Sequence, residues 1–506
     1  MPVKRLKGKK MKKLIICLLA LALLVPFLAA CNDTAEESSV AEESKGLVLT
    51  TPVIDLGGRE INVLCHHFGA VSNSILGYTG EIIYEEENPS SVDVAKKQVL
   101  DYIETTYNCT VKGEMVHEST TATTVPALIK NQVTSGLHTY DICFDSLGKA
   151  ATLALEDMLV DLNSVDTIDL TAPWWDKNAV EDLSISGKVF FTCGDINTYD
   201  DQGTWCILFN KSLQDRRNIE TDFYQLVKDD QWTFDKFVEI CTDSGVTHDS
   251  TGEGTLDEKD TWAFGTETYN IYVHLVSAGL KIAQKDENDL PYLTLSKETA
   301  ETYSILSKVL EFYNNENVVM VANSSKYESK FPYPQNVWEE TVHKSFVEGR
   351  ELFYMCGLIN VASFRQMEDE FGILPMPKYY DHQDRYYHTV SKDNASVMFL
   401  PVTHSDADLE ALGTVISAIS EYSMHLVTPA YYDVQLKYRD SRDDESGEML
   451  DLIFDSRTFD LGSAYGWGGI IGQYMSLDKN VASRFESVIT KAETELQDML
   501  DTIDFQ

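Results

Sequence analysis

The chain is predicted to be an α/β protein of two or more lobes. It should have mainly parallel sheets covered by helices and a mostly helical C-terminal third. Between residues 61 and 144, short apolar runs alternate with segments whose apolar residues recur at helical spacing. A βαβα series of this kind builds a parallel sheet with helices on its faces. The length of 506 residues exceeds what one hydrophobic core accommodates. The C-terminal third carries helical periodicity and ends in an amphipathic segment over Asp478 to Leu500.

The elements follow in order. Ile61-Asn-Val-Leu-Cys65 reads as a strand. Val92 to Thr105 places Val94, Val99, Leu100 and Ile103 at helical intervals. Cys109 to Gly113 is a short strand, Thr124 to Val133 a helix, and Tyr140 to Phe144 another strand. Gly187 to Phe191 and Trp205 to Phe209 are expected as a further pair of strands. Thr233 is placed to cap a helix running through Cys241. Thr299 to Asn314 is amphipathic, and Gly372 to Pro377 is extended and stopped by proline. No repeat of fixed period is present.

The N-terminus carries an address. Lys4, Arg5, Lys7, Lys9, Lys10, Lys12 and Lys13 precede an almost wholly apolar run, Leu14 to Leu28. Two alanines and Cys31 follow. A cationic start, an apolar run and small residues at a cut site make a secretory signal. The run is shorter than the ~18–20 residues of a spanning helix, and Pro26 interrupts it. Leu28-Ala-Ala-Cys31 resembles the lipobox of bacterial lipoproteins. The resemblance implies that residues 1–30 are removed and that Cys31 carries a lipid. The body would then sit at the outer face of the cell membrane. Residues 31–45, rich in Ser, Glu and Ala, read as a flexible tether.

The formal net charge is −40, although the leader is purely cationic. Such a surface repels phosphate backbones and excludes nucleic acid as a partner class. Cys65, Cys109, Cys143, Cys193, Cys206, Cys241 and Cys356 are widely spaced without a CxxC pair, which argues against a zinc ribbon or a disulfide scaffold. They read as small buried apolar residues.

No nucleophile elbow, HExxH, Walker loop or dinucleotide fingerprint is present, and no catalytic residue is assigned. His66 and His67 are adjacent on a strand end and point to opposite faces, which disfavours a shared metal. Asp249 to Asp260 resembles a calcium loop of the EF-hand type, with Gly254 at the turn and Leu256 two residues on. Asp249, Thr251, Glu253, Thr255 and Asp260 are its candidate ligands. Thr at the third position and Asp rather than Glu at the twelfth depart from the pattern. The competing expectation is a solvated acidic loop. No cofactor is expected beyond this structural Ca2+.

The ordered set of elements after the lipobox resembles an extracellular solute-binding protein of an ABC importer, of the maltose-binding type. The residues that carry the resemblance are Tyr140 to Asp145, Gly187 to Phe191, Trp205 to Lys211, Gln231 to Phe237, Asp260 to Gly265, Phe346 to Phe353 and Phe371 to Lys378. Tyr431 to Lys437 and Asp444 to Leu450 look like a clostridial-type branch. The resemblance implies a two-lobe periplasmic-binding-protein-like fold (type II). Residues 46–198 and 358–402 would form one lobe, and 203–354 and 405–506 the other. Crossings would fall near 199–202, 355–357 and 403–404. It also implies a monomer that captures a small-molecule solute by hinge closure, a carbohydrate or oligosaccharide, and delivers it to permease subunits. Some carbohydrate-binding members carry a loop like Asp249 to Asp260. Two other readings stay open: a lipid-anchored surface glycoside hydrolase, and a glycan-binding or sensor protein without an importer. The acidic first crossing would also suit a cationic solute.

The candidate ligand-binding residues are Asp145, Asp195, Asp201, Thr204, Trp205, Tyr465 and Trp467. Asp145 ends an apolar strand, and its alternative is a helix cap. Asp195, Asp201, Thr204 and Trp205 flank the first crossing, with a solvated loop as the alternative. Tyr465 and Trp467 lie among glycines in Gly462 to Gly469, where a ring can be presented to a ligand or packed on the lobe. Trp174 and Trp175 are read as structural.

Overall fold

The computed structural model describes residues 47–67, 80–117, 123–364, 367–432, 443–469, 477 and 481–502. The chain divides into two units, Met1–Val48 and Leu49–Gln506, and both main sheets belong to the second. Cys31, the leader 1–30 and the tether 31–45 lie outside the described residues.

The strands of the two sheets are β1 (Arg59–His66), β2 (Cys109–Val116), β3 (Ile142–Ser146), β4 (Trp205–Asn210), β5 (Trp262–Thr266), β6 (Val319–Val321), β7 (Glu351–Gly357), β8 (Phe371–Leu374) and β9 (Ser396–Phe399). The first sheet has the order β9-β3-β1-β2 and the second β8-β4-β7-β5-β6. In the first, β1 runs parallel to both β2 and β3, while β9 is antiparallel to β3. In the second, β5 is parallel to β6 and β7, and the pairs β4–β7 and β4–β8 are antiparallel. Each sheet is therefore parallel at one end and antiparallel at the other.

Local chemistry explains the helices. Helix α1 (Ser91–Tyr107) starts from a reciprocal capping box between Ser90 and Asp93 and stops at Asn108, whose φ of 50° is left-handed. Its Val99, Leu100 and Ile103 are buried as the spacing predicts, whereas Val94, expected on the same face, is exposed. Thr124 caps α2 (Val125–Ser135), and α3 (Leu147–Leu155) follows β3 directly. Asp176 caps α4 (Lys177–Leu183) and Thr233 caps α5 (Phe234–Asp243). Ile61, Val63 and Leu64 of β1 are almost fully buried, each contributing about 1.5–3 kcal/mol of transfer free energy. The seven described cysteines are buried and unbridged.

The structure corrects the sequence reading in three places. Gly187–Phe191 is not a strand: Ser186 (φ 53°) and Gly187 (φ 76°) form a tight turn that allows only the bridge between Ile185 and Lys188. A run of alternating apolar residues cannot extend through two consecutive left-handed positions. Phe371–Leu374, expected in the first lobe, pairs with β4 in the second sheet, so the chain changes sheet after Leu374 rather than at 355–357. Its fully buried Phe371, Ile373 and Leu374 give no clue to which sheet takes them. Helix α6 (Asp406–Pro429), expected in the second lobe, packs on α1, with Tyr422 and Tyr102 rings 4.6 Å apart. The next helix, α7 (Asp444–Asp455), packs on β8, where Ser446 Oγ accepts a bond from Ile373 N at 3.0 Å.

Candidate functional site

In open α/β sheets, ligands gather at the carboxyl ends of parallel strands. Three such ends, those of β1, β5 and β7, line one cleft of about 350 Å3. β1 delivers His66 and His67, and β3 delivers Asp145 beside them. β5 delivers Glu267, and β7 delivers Cys356 and Gly357. Trp205, at the start of the antiparallel β4, closes one side. Trp338 and Tyr354 form an aromatic wall, with Trp338 Nε1 donating to the Tyr354 hydroxyl at 2.8 Å. Asn360, Asp393 and Asn394 supply amides and a carboxylate.

The polar groups here are unevenly matched. Asp145 is completely buried; its Oδ1 accepts from Ser146 N at 2.7 Å and lies 3.9 Å from His66 Nδ1 and 3.8 Å from Lys149 Nζ. Asp393 is paired with Lys392 at 2.6 Å. The Glu267 carboxyl forms no hydrogen bond or ion pair among the described residues, and burial raises it to about 7. Trp205 Nε1 is buried without a described partner, and its ring lies 5.5 Å from Tyr269. The His67 ring lies 4.3 Å from that of His117, tilted by 33°, and burial together with His117 lowers its pKa.

A second recess, of about 450 Å3, lies where 173–176, 194–201, 428–432 and 451–457 meet. Arg457 is its centre, bonding to Asp176, Asp200 and Asp201. Burial works against the guanidinium charge, but Asp176, Asp201 and Asp200 overcome it and hold Arg457 well above its ordinary value. Asp195 accepts from Thr428 Oγ1 at 2.5 Å, and burial raises its carboxyl to about 7. Asp176, Cys193 and Asp200 place ligating atoms within 4.8 Å of one another. Arg457 already answers those two carboxylates, and burial pushes the Cys193 thiol well up, away from the thiolate a metal needs.

Among the candidates from sequence, Trp205 lines the cleft, and Asp145 lies behind His66 at its edge. Thr204 is buried beside Trp205, and its backbone carbonyl accepts from Leu358 N at 2.9 Å. Asp195 and Asp201 line the Arg457 recess. Tyr465 and Trp467 stack on each other at 5.8 Å, and Trp467 is 2% exposed; neither lines the cleft or the recess. Glu267, Trp338 and Tyr354 were not singled out. Glu267 was within reach of sequence reasoning, because it is the second residue after the expected strand Asp260 to Gly265.

The calcium expectation is not supported. Asp249 accepts backbone bonds from Thr251, Gly252 and Gly254, and Asp260 from Ser250, Thr251 and Asp257. These carboxylates serve the loop's own amides, and neither they nor Glu253 belong to the described groups close enough to share an ion.

No protein-family model and no curated protein sequence matches the chain. Solved structures do. The cyclic alpha-maltosyl-1,6-maltose binding protein of Arthrobacter globiformis aligns at 15% identity with a TM-score of 0.56, covering 87% of this chain and 100% of that one. M. tuberculosis UspC aligns at 14% identity and 0.54, covering 86% and 100%. The maltose-binding periplasmic protein MalE of Listeria monocytogenes, solved with maltose, aligns at 10% identity and 0.54, covering 87% and 98%. The fold is that of ABC substrate-binding proteins of the maltose-binding type. In this fold, what β1 presents faces what β5 and β7 present across the cleft.

Proposed function

We propose that the protein is a non-enzymatic receptor that captures a carbohydrate or oligosaccharide in the cleft at the strand ends. The observation that carries this reading is the lining: Trp205, Trp338 and Tyr354 face amide and carboxyl groups across about 350 Å3. Aromatic faces stack on the C–H surfaces of sugar rings, and convergent polar side chains take up hydroxyls. Two lobes, one built on each sheet, close around the solute by a hinge. The three proteins compared above include two whose names state a maltose-type ligand. Cys31 anchors the receptor to the outer membrane face, and importer permease subunits take the solute from the closed form.

Calorimetry of the mature protein with maltotriose, cellotriose and cyclic maltosyl-maltose tests the reading. A Kd in the micromolar range or below for one of them supports it. Absence of heat across these and a wider glycan panel overturns it, and release of new reducing ends would replace it with a hydrolase. A Cys31→Ser variant recovered from the medium rather than the membrane fraction supports the anchor.

A further inference from the structure

The ionisable side chains that line the cleft are acids and histidines. Glu267 and Asp393 line it together with two histidines, and no lysine or arginine is among the described lining residues. Asp393 has Lys392 as its counter-charge, but Glu267 has none among the described residues. A carboxyl partly desolvated at a cavity wall costs free energy unless something answers it. A neutral hydroxyl satisfies one hydrogen bond of such a group, whereas an ammonium group satisfies the bond and cancels the charge.

The walls favour the same partner. Glu267 is near enough to Tyr354 to influence its hydroxyl, and Tyr354 holds Trp338 by the indole bond. A cation brought to Glu267 therefore approaches the aromatic wall, where ring faces attract positive charge. The excess of acidic residues, 81 Asp and Glu against 41 Lys and Arg, draws cations toward the cleft and repels anionic sugars.

We propose that the captured solute is a glycan bearing a protonated amine, with Glu267 as the anchor of its ammonium group. The proposal rests on the carbohydrate reading above and narrows it to amino sugars whose nitrogen is not acetylated.

Calorimetry of the mature protein at neutral pH compares β-1,4-linked tri-glucosamine, its N-acetylated counterpart, maltotriose, tri-galacturonate and spermidine. Tri-glucosamine is expected to bind about 10- to 100-fold more tightly than the acetylated sugar or maltotriose, the range of one charge-assisted bond. Tri-galacturonate is expected not to bind. The preference should shrink as salt is raised from 50 to 500 mM and be lost in Glu267→Gln, while Glu267→Asp keeps part of it. The salt series on the unmutated protein decides the matter if Glu267→Gln folds poorly. Maltotriose or the acetylated sugar binding as well as tri-glucosamine overturns this inference and leaves the carbohydrate reading standing. Spermidine binding with no sugar bound overturns both.

Discussion

The recess around Arg457 is larger than the cleft at the strand ends, about 450 against 350 Å3, yet its charged groups are engaged mostly with one another. One guanidinium answers Asp176, Asp200 and Asp201, Thr428 answers Asp195, and Tyr432 answers Asp451. In the cleft, Glu267 has no described partner and Trp205 Nε1 donates to none. Both places have aromatic walls and acids. What separates them is charge: the recess answers its acids with Arg457, whereas Glu267 in the cleft has no described counter-charge. Unpartnered neutral atoms occur in both, Trp174 Nε1, Trp175 Nε1 and Asn197 Oδ1 in the recess and Trp205 Nε1 in the cleft. Unanswered charge is the better guide to a solute than volume, because a desolvated carboxyl without a counter-charge gains most from a ligand.

The largest expected effect tests the closed side of this contrast. Arg457→Met removes the described cation that answers Asp176, Asp200 and Asp201 and should cost about 3–5 kcal/mol of folding free energy. A shift in the denaturant midpoint reads it. A variant as stable as the parent would mean that the network is not holding together 173–176, 200–201 and 457, and the recess would become as open to ligands as the cleft.

The open side is tested by losing affinity rather than stability. Trp338→Ala removes part of the aromatic wall and should weaken glycan binding about 10- to 100-fold, equivalent to ~1.5–3 kcal/mol. Trp175→Phe, which removes an indole N–H in the other recess, should leave the affinity unchanged. The reverse outcome would place the solute beside Arg457.

The sequence made the sheets legible better than the site. Strands β1, β3 and β4 and helices α1 and α5 were readable because their signals are local: Thr233 sits one residue before α5, and α1 buries Val99, Leu100 and Ile103 of its expected face, though not Val94. Sheet membership was not local. Phe371–Leu374 and Asp406–Pro429 are apolar enough to serve either sheet, and only pairing with β4 and packing on α1 decide. Asp195 and Asp201 looked like cleft residues because they flank a change of sheet, but Arg457, more than 250 positions away, draws Asp201 into the other recess. The His66–His67 pair was set aside on strand alternation, yet β1 ends at His66 and both residues line the cleft.

A smaller effect compares the two places through pH. Each holds one carboxyl raised by burial to about 7, Asp195 in the recess and Glu267 in the cleft. Their ordinary values are 3.8 and 4.5, so between about pH 4 and 7 the folded chain keeps protons that the unfolded chain has released. Stability contributed by these groups therefore falls as pH rises through that window and levels off above it. Asp369, held below its ordinary value by Arg216, works in the opposite direction at lower pH. The melting temperature of the ligand-free protein should be higher near pH 5 than near pH 7.5. Asp195→Asn and Glu267→Gln should each flatten the profile, and a bound amino sugar should remove only the Glu267 share. A flat profile in the unmutated protein would show that solvent reaches both groups.

The smallest expected effect concerns the acidic loop, where abundance of carboxylates invites a metal. Calcium takes six to eight oxygens, and to supply them Asp249 and Asp260 would have to give up the amide bonds that shape the turn. Addition of calcium or a chelator should therefore leave the melting temperature unchanged. Asp260 is fully buried, with three amides on its carboxylate, so Asp260→Ala should cost about 1–3 kcal/mol with or without calcium. Asp249, at the exposed end, should matter less. If calcium raised the melting temperature, and Asp249→Ala abolished the rise, the loop would join the cleft as a place whose polarity is answered from outside the chain.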